Sequence, residues 1–392
     1  MSTSLNLDKD HLTACISCGL CLPHCPTYQT TQDESRSPRG RISLMRGVED
    51  GLMPLSKEVI ESLDTCVQCL GCETACPSGV RYGELIGQTR EVLNSHRKVS
   101  FRLRAGLWIL LHMRVLLFGS RVLAVFQRLK LVPNKALPVP SRIPLRGVRY
   151  VQNDDPEVIL FTGCVMDVWL SQVHEAALSV LDSIGVRYMI SGNQVGCCGA
   201  LHSHAGFRST ANKQALEVIS ALPPDLPILV DSAGCGAVLK EYGSLLGTQE
   251  AKFFSSRVYD IHEWLINDSK WRESLPTRRP GNKKVIVQDP CHLRHVQKAH
   301  TSVRELLTPF VECLELDDEG LCCGAGGAFS VDQPELAKEI RDKKLKSIQR
   351  AGRHLVVSAN PGCMIHLESA GVEILHPIQV VAEYIGGKED HE

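Results

Sequence analysis

Aromatic residues and net charge are both scarce in this chain of 392 residues. Phenylalanine, tryptophan and tyrosine make up 5% of it, and the formal net charge is −1. The near-neutral charge offers no support for a nucleic-acid partner. The first ten residues show no basic segment followed by an apolar one, so the sequence predicts no signal peptide. We therefore expect a cytoplasmic protein, in which a disulfide scaffold is disfavoured because thiols stay reduced.

Cysteine is the residue in excess, with 17 copies in a chain whose 43% hydrophobic and 22% charged residues are typical of globular proteins. In a cytoplasmic protein this many cysteines indicate metal binding or redox chemistry, and they argue against a hydrolase that needs no cofactor. Eight cysteines precede residue 80, four lie between residues 164 and 235, and five lie between residues 291 and 363. The length allows two or three domains.

The first eight cysteines form two copies of one pattern, Cys-x2-Cys-x2-Cys-x3-Cys-Pro, which begin at Cys15 and at Cys66. This is the spacing of bacterial ferredoxins, in which three closely spaced thiolates face one [4Fe-4S] cluster and the fourth cysteine reaches the other cluster. We therefore predict a first cluster bound by Cys15, Cys18, Cys21 and Cys76. We predict a second cluster bound by Cys66, Cys69, Cys72 and Cys25.

Two alternatives to these clusters stay open at this point. Zinc sites commonly pair two cysteines with two more at a distance, and eight buried free thiols would need no metal. The 40 residues between the two runs predict connecting helices, with an apolar helical stretch at Ile42–Val48. Arg39 and Arg41 lie in the same connection, where each either offsets the negative charge of a thiolate-bound cluster or occupies a solvated turn.

The remaining cysteines indicate an internal duplication. Each copy contains a cysteine, a Cys-Cys-Gly triplet and a last cysteine, and the copies are offset by 127, 125 and 128 residues. One more cysteine, Cys313, falls in the predicted strand Val311–Leu316 and is interpreted as an ordinary core thiol. The first copy consists of Cys164, Cys197, Cys198 and Cys235, and the second consists of Cys291, Cys322, Cys323 and Cys363.

Short apolar runs precede the first and last cysteine of each copy, as Val158–Phe161 precedes Cys164. Such runs are typical of buried parallel strands, and helical stretches at Gln172–Ile184, Phe207–Leu222 and Pro334–Ala351 alternate with them. This alternation predicts an α/β fold with a parallel sheet whose carboxyl edge gathers the cysteines. Four cysteines per copy predict one further iron–sulfur cluster in each, and cysteines that bind nothing are the alternative.

The order of these motifs resembles the cysteine-rich CCG family, in which a two-cluster ferredoxin module precedes Cys-Cys-Gly domains. The resemblance covers nearly the whole chain and rests on Cys15–Tyr28, Ser37–Ile42 and Cys72–Tyr82 together with the two repeats. Within that family the chain looks most like the iron–sulfur subunits of glycolate oxidase (glycolate dehydrogenase). The resemblance implies an α/β protein with a mostly helical two-[4Fe-4S] module, followed by two duplicated parallel-sheet CCG domains.

The resemblance also implies a function. It implies a subunit without flavin that relays electrons from FAD-containing subunits, which oxidise glycolate to glyoxylate, toward a quinone or another acceptor. No G-x-G-x-x-G fingerprint follows a predicted strand, and no residue of this chain need touch glycolate, so no catalytic residue is assigned. The alternatives are the equivalent subunit for lactate or glycerol-3-phosphate, and a catalytic subunit of the heterodisulfide-reductase type.

One position in each repeat departs from the fullest family motif, which ends in Cys-x-x-Cys. The first cysteine of that pair is replaced by Ser232 in one repeat and by Asn360 in the other. Four thiolates still suffice for an ordinary cubane, whereas a five-thiolate cluster lacks a ligand. The departure therefore favours electron relay over disulfide reduction.

A basic stretch separates the ferredoxin module from the repeats. Residues 92–153 contain 12 Lys and Arg and no Asp or Glu, so the rest of the chain has 31 basic and 44 acidic residues, a net charge of −13. The longest run without charge is the nine residues between Arg104 and Arg114, which is too short for a membrane span of about 20 residues. The stretch predicts one or two basic amphipathic helices. These helices either pack within the protein or on a partner, or lie on the inner face of the cell membrane through residues 97–149.

These observations divide the chain into four predicted parts. A Pro-rich segment at Pro133–Pro144 is interpreted as the linker into the first repeat. The parts are a two-[4Fe-4S] ferredoxin-type domain at residues 1–95, the basic arm and linker at 96–153, a first CCG domain at 154–267 and a second CCG domain at 268–392. We call the last two the first and the second repeat.

Overall fold

A computed structural model describes residues 4–96, 99–131, 139–145, 153–275 and 282–386. The chain forms two compact units, each built from three segments. Unit 1 contains residues 1–107, 201–211 and 321–346, and unit 2 contains residues 108–200, 212–320 and 347–392. Half of the predicted linker, residues 133–138, and five of the basic residues lie outside the described residues: Arg97, Lys98, Lys135, Arg146 and Arg149.

Short helices build the N-terminal part, as predicted, and polar caps and prolines begin them. Ser37 caps the third helix by accepting a hydrogen bond from the Gly40 N–H, and Pro38 occupies its first turn, where proline has no N–H to leave unpaired. The predicted stretch Ile42–Val48 lies inside that helix. The helices are α1 (Lys9–Thr13), α2 (Pro26–Thr31), α3 (Pro38–Glu49), α4 (Lys57–Asp64), α5 (Gly71–Thr74) and α6 (Tyr82–His96), with a 3-10 turn at Glu34–Arg36.

The basic stretch folds into two helices, α7 (Phe101–Leu111) and α8 (Met113–Arg128). The pair is bent by 111° at its break. Among the described helices, none is by itself long and apolar enough to cross a bilayer, and only this bent pair taken together reaches that length and composition. Leu116 of α8 is buried, and it packs beside Cys164 and Cys197 in an apolar cluster of unit 2.

The first repeat forms a sheet of four parallel strands in the order β2-β1-β3-β4. All four residues of β1 are buried, which explains why the run is apolar without alternation. The elements are β1 (Val158–Phe161), α9 (Val165–Trp169), α10 (Ser171–Ser183), β2 (Tyr188–Ile190), α11 (Gly192–Val195), α12 (Ala200–His204), α13 (Arg208–Ala221), β3 (Ile228–Val230), α14 (Ala233–Leu246), α15 (Gln249–Ser256), β4 (Val258–Asp260), α16 (Ile261–Asn267) and α17 (Ser269–Ser274).

The second repeat forms a matching parallel sheet in the order β6-β5-β7-β8. Cys313 lies in β6, inside the predicted strand Val311–Leu316, but it is partly exposed and so is not the core thiol that we predicted. The two sheets confirm the predicted α/β class. The elements are β5 (Lys284–Val287), a π-helical turn at His292–Val296, α18 (His300–Leu307), β6 (Glu312–Leu314), α19 (Phe329–Asp332), α20 (Pro334–Ala351), β7 (Leu355–Val357), α21 (Pro361–Glu368), β8 (Ile374–Leu375) and α22 (Pro377–Gly386).

Buried polar groups connect the two sheets inside unit 2. Asp231 follows β3 and pairs with His174 of α10, with the His174 Nδ1 and the Asp231 Oδ2 2.5 Å apart and both side chains excluded from water. His376, which follows β8 of the second repeat, bonds through Nε2 to the Asp231 carbonyl at 2.9 Å. The Ala233 N–H donates to the Ala359 carbonyl at 2.9 Å. The two repeats therefore share one buried hydrogen-bonded seam.

The segments that follow the two Cys-Cys-Gly triplets fold into unit 1. Arg90 of α6 donates to the His204 carbonyl at 2.8 Å, and Asn94 donates to the Ala205 carbonyl at 2.8 Å. Gly206 has φ +78°, and a Cβ there would lie 2.6 Å from the Arg90 carbonyl oxygen, so only glycine fits. The domain boundaries predicted at residues 95, 153 and 267 stay predictions. The two compact units have other boundaries, because each unit consists of three separate segments of the chain.

Replacing Asp231 by Asn should destabilise unit 2, because it breaks a buried charged pair and leaves His174 without its counter-charge. We expect a loss of ~3 kcal/mol in the free energy of unfolding. Although burial lowers the pKa of His174, the neighbouring Asp231 carboxylate outweighs it and raises that pKa above its ordinary value. The stabilisation is therefore complete below about pH 6.5 and is lost as the pH rises through the folded-state value.

Urea unfolding of the wild type and of Asp231→Asn at about pH 6 and about pH 9 checks this prediction. The difference between their free energies of unfolding should be larger at the lower pH. Asp155→Asn is the matched control, because Asp155 pairs with Arg187 at the surface and its loss should cost less than ~1 kcal/mol. Equal costs for the two substitutions would contradict the prediction.

Candidate metal centres

The two N-terminal cysteine loops share one backbone conformation. Ser17 and Gly19 have φ +60° and +87°, and the residues 51 positions later, Gln68 and Leu70, have φ +57° and +61°. A leucine in the left-handed region is uncommon and persists only where its surroundings hold it. The same spacing of left-handed residues in both loops shows that the repeated sequence gives a repeated geometry.

An arginine donates to the carbonyl of the first cysteine of each loop. Arg46 of α3 bonds through Nη2 to the Cys15 carbonyl at 2.6 Å. Arg90 of α6 bonds through Nη2 to the Cys66 carbonyl and, at 3.0 Å, to the Asp64 carbonyl. Sequence analysis did not single out either arginine, because both lie in helices far along the chain from the loop that they hold.

The first predicted ligand set surrounds one cavity of about 430 Å³. This cavity opens toward the surface, since Cys18 is exposed and the other three cysteines are partly exposed. The apolar side chains of Ile16 and Leu20 on the same loop are 71% and 57% exposed. All four cysteines of the set line the cavity: Cys15, Cys18, Cys21 and Cys76.

The second predicted ligand set surrounds a separate cavity of about 280 Å³, and all four of its cysteines are buried. The Gln68 N–H donates to the Cys66 Sγ at 3.4 Å, and the Tyr82 hydroxyl donates to the same sulfur at 3.6 Å. The cysteines that line this cavity are Cys25, Cys66, Cys69 and Cys72. The structure thus brings together each set of four, including the crossed fourth cysteine.

One thiol of each set has a raised pKa and so resists ionisation when no cation is near. Burial raises the pKa of Cys21 to about 11. Burial and the neighbouring cysteines raise the pKa of Cys72 well above its ordinary value. Thiolates in such sites need positive charge beside them, and iron supplies it on binding.

Arg39 and Arg41, for which the sequence left two interpretations open, occupy different environments. Arg39 is partly exposed and pairs with Glu34, with the Arg39 Nε and the Glu34 Oε1 2.7 Å apart. Arg41 is only 1% exposed and lies against the second cavity. Burial disfavours its charge, but the acidic groups of Tyr82, Cys66 and Cys25 outweigh burial and raise the pKa of Arg41.

The four cysteines of the first repeat meet in unit 2. Cys164 follows β1 at the start of α9, and Cys235 lies in the first turn of α14. Hydrogen bonds with Cys197, followed by burial, raise the pKa of Cys164 well above its ordinary value. Hydrogen bonds with Cys197 and Cys235, followed by burial, raise that of Cys198. Four thiols linked in a chain of hydrogen bonds, from Cys164 through Cys197 and Cys198 to Cys235, are a donor set that fits a cluster with four ligands.

The corresponding cysteines of the second repeat are divided between the compact units. Cys291 and Cys363 belong to unit 2, at the start of the π-helical turn and in α21. Cys322 and Cys323 belong to unit 1 and are buried there, and the Gly324 N–H donates to the Cys322 Sγ at 3.4 Å. Their role as one ligand set stays a prediction that rests on the duplication.

The two positions that depart from the Cys-x-x-Cys motif begin equivalent helices. Ser232 precedes α14, and Asn360 precedes α21. Asn360 donates through Nδ2 to the Cys363 Sγ at 3.4 Å and accepts from the Gly234 N–H of the first repeat at 3.0 Å. An amide thus occupies the place of a fifth thiolate and supplies a hydrogen bond to the Cys363 sulfur, which would stabilise an electron-rich cluster if one is bound there.

Sequence analysis also missed two tyrosines beside the cysteine sets. Tyr82 donates to Cys66, and Tyr242 donates to the Cys198 carbonyl at 2.8 Å. Both are buried. The scarcity of aromatic residues could have drawn attention to them, because Tyr82 stands in the Cys-Pro-Ser-Gly-Val-Arg-Tyr segment.

The residues that are present fit iron–sulfur clusters at both N-terminal cavities. Each cavity is lined by the four cysteines of one set, and Cys72 of the second set also lines the first cavity. A cluster bound at either cavity would supply reversible one-electron storage. Within the described residues, no group of three or more His, Cys, Asp and Glu is arranged to hold a single metal ion. Cys313 lies apart in β6, where burial raises the pKa of its thiol to about 11.

Comparison with known proteins agrees with this arrangement. A family model described as a 4Fe-4S dicluster domain matches residues 11–80, and one described as a cysteine-rich domain, CCG, matches residues 158–240 and 285–368. The chain is similar at 24% identity to lactate utilization protein A 2 of Bacillus cereus (strain AH820), over 58% of this chain and 98% of that protein.

Two other relatives match over nearly their whole length. The chain is 30% identical to the probable glycolate oxidase iron–sulfur subunit of Bacillus subtilis (strain 168), over 97% of this chain and 96% of that protein. It is 34% identical to the glycolate oxidase iron–sulfur subunit of Escherichia coli (strain K12), over 95% of this chain and 94% of that protein. With this identity and this coverage of both relatives, the chain belongs to the family of glycolate oxidase iron–sulfur subunits.

Proposed function

We propose that this chain is the electron-transfer subunit of a flavin-dependent glycolate dehydrogenase. FAD-containing partner subunits oxidise glycolate to glyoxylate, and the clusters of this chain carry the electrons toward a quinone or another acceptor. The observation that carries the proposal is the pair of cavities in unit 1, each lined by all four cysteines of one predicted ligand set. The names of the two relatives that match over their whole length support the choice of glycolate.

The difference in burial between the two cavities supports a direction through unit 1. The first cavity reaches the surface at Cys18, so a cluster there is placed to exchange electrons with another protein. The second cavity is buried, and Val67 beside Cys66 approaches Gly326, where a Cβ would lie 2.8 Å from the Val67 Cγ1. Gly326 follows the triplet of the second repeat, so an inner cluster would lie beside that segment.

The lactate alternative has weaker support. The relatives that act in lactate utilisation match over 58% of the chain, whereas those named for glycolate match over at least 95%. The disulfide-reducing alternative needs a fifth thiolate, and Ser232 and Asn360 occupy the positions where it would stand. The glycolate role is therefore the one that we test.

Iron content tests the ligand sets. Anaerobically purified wild type should hold at least about eight irons per chain, and Cys69→Ser should lose about four of them. If the first repeat binds a cluster, the wild type should hold about four further irons, and Cys235→Ser should lose those four. Cys313→Ser is the matched control and should leave iron content unchanged, because this thiol lies apart in β6. Iron near two per chain, with zinc present, would contradict the cluster assignment.

Activity measurements on the isolated chain test whether glycolate oxidation belongs to the FAD-containing subunits and electron transfer to this chain. The purified chain should lack tightly bound flavin and should not reduce a dye with glycolate, because no residue here is assigned to glycolate. Adding the FAD-containing subunits should restore dye reduction, and Cys18→Ser should lower its rate at unchanged flavin content. Glycolate oxidation by the chain alone would refute the proposal.

We further propose that the basic arm attaches the protein to a membrane surface. The acid-free helices α7 and α8 leave large apolar side chains in solvent: Phe101 and Phe118 are 85% and 71% exposed. Arginines such as Arg102 and Arg114 lie on the same helices. An apolar face flanked by basic residues is the chemistry that binds anionic lipid. Leu116 is buried against Cys164 and Cys197 of the first repeat, so one face of α8 packs within the protein. The exposed apolar side chains lie on another face, which is available to a membrane.

Sedimentation with vesicles that contain phosphatidylserine tests this attachment. Binding should fall as salt rises from about 0.05 to about 0.5 M, because the charge attraction is screened. Phe118→Ser should weaken binding several-fold, whereas Phe253→Ser, which removes another largely exposed phenylalanine outside the arm (58% exposed), should not. Absent binding, or binding that salt and Phe118→Ser leave unchanged, would contradict it.

A further inference from the structure

Arg41 is a buried cation with no carboxylate partner. Its side chain is 1% exposed, and its hydrogen bonds go to uncharged oxygens, the Tyr82 hydroxyl among them. Among the described residues, no Asp or Glu forms an ion pair with it. The other acceptors are the Ser62 carbonyl at 2.8 Å, the Thr27 Oγ1 at 3.1 Å and the Thr65 Oγ1 at 3.2 Å. An isolated buried charge is costly, so its counter-charge must be another kind of group.

The groups that can carry this counter-charge belong to the second cavity. Arg41 lines that cavity together with Cys25, Cys66 and Tyr82. The Thr27 hydroxyl that accepts from Arg41 lies 3.1 Å from the Cys25 Sγ. Tyr82 donates to the Cys66 Sγ on the other side. The guanidinium is therefore held in place beside the sulfur ligands of the second set.

Among the described residues that line the first cavity, none is an equivalent cation. Arg39 lines it, but Arg39 is paired with Glu34, is 31% exposed and donates to the Ser17 carbonyl at 3.0 Å. Its charge is thus offset by a carboxylate and screened by water. The lining of the second cavity therefore contains a buried cation without a carboxylate partner, and the lining of the first contains a neutralised surface pair.

Arg46 and Arg90 do not change this asymmetry. They donate to the backbone carbonyls of Cys15 and Cys66, one at each loop, and they line neither cavity.

This asymmetry affects the electron affinity of the clusters. Reduction adds one electron, and so one negative charge, to a cluster that is already anionic. Burial alone disfavours that added charge, so the buried second cluster should be the harder one to reduce. A fixed cation beside its sulfurs has the opposite effect and raises the reduction potential, which depends on net charge and surroundings.

We infer that Arg41 is the buried counter-charge of the second cluster and makes that cluster the more easily reduced of the two in unit 1. The inference rests on the proposed electron-transfer function. An electron that a partner delivers at the exposed first cavity would then move inward and stay on the second cluster. Arg41 is a positioning and tuning residue and exchanges no electron itself.

Redox titration of the full chain with dithionite, followed by electron paramagnetic resonance, tests the inference. The two cluster signals are assigned from the spectra of Cys18→Ser and Cys69→Ser. Arg41→Gln should lower the electron affinity of the second cluster at least tenfold, which is ~59 mV for one electron. Arg39→Gln is the matched control and should leave both potentials unchanged, and Arg41→Lys should keep most of the effect because it keeps the charge.

Each outcome of the titration either supports or contradicts the inference. If Arg41→Gln loses the second cluster while Arg41→Lys keeps the cluster and its potential, the result also supports a role for the positive charge. Unchanged potentials in Arg41→Gln with both clusters present would overturn the inference, as would equal loss or equal shift in both Arg41 variants. A wild type with iron for fewer than two clusters would instead contradict the proposed function, so the two failures are distinguishable.

Discussion

Compensation of negative charge on buried sulfur is the constraint on which this structure depends. Cysteine thiols in a dry environment keep their protons, as the raised pKa values of Cys72, Cys164 and Cys198 show. Thiolates form there only with positive charge close by. Iron is the main source of that charge, and Arg41 adds a fixed one at the second cavity. Two hydrogen-bond donors serve the same purpose at Cys66, since the Gln68 N–H and the Tyr82 hydroxyl both donate to its sulfur.

Much of the fold follows from spacing alone. The cysteine runs predict which four residues meet at each N-terminal cavity, including the exchange of Cys25 and Cys76, because loop length limits what each cysteine can reach. The apolar runs predict the parallel strands, because a strand that is buried on both faces has no polar positions. The helix over Pro334–Ala351 is confirmed at both ends.

Other features depend on contacts that no local pattern encodes. Arg39 and Arg41 are two residues apart in one helical turn, so the sequence could not decide which of them is buried; packing of α3 against the second cavity decides it. The bond from Arg90 to the His204 carbonyl spans 114 residues, and the grouping of residues 201–211 with the N-terminal helices depends on it. The buried seam of His174, Asp231 and His376 was missed for the same reason.

The composition of unit 1 has a consequence for how the protein is made. Its last segment, residues 321–346, supplies the Lys343 side chain that bonds to the Gln29 carbonyl and the Gly326 backbone that lies against Val67. The N-terminal helices leave the ribosome first, but their partners follow only after nearly all of the chain has been synthesised. Closure of unit 1 over its inner cysteines is therefore a late event of high contact order. Cluster-assembly factors accordingly have the period of translation in which to reach Cys66 and its neighbours before the chain encloses them.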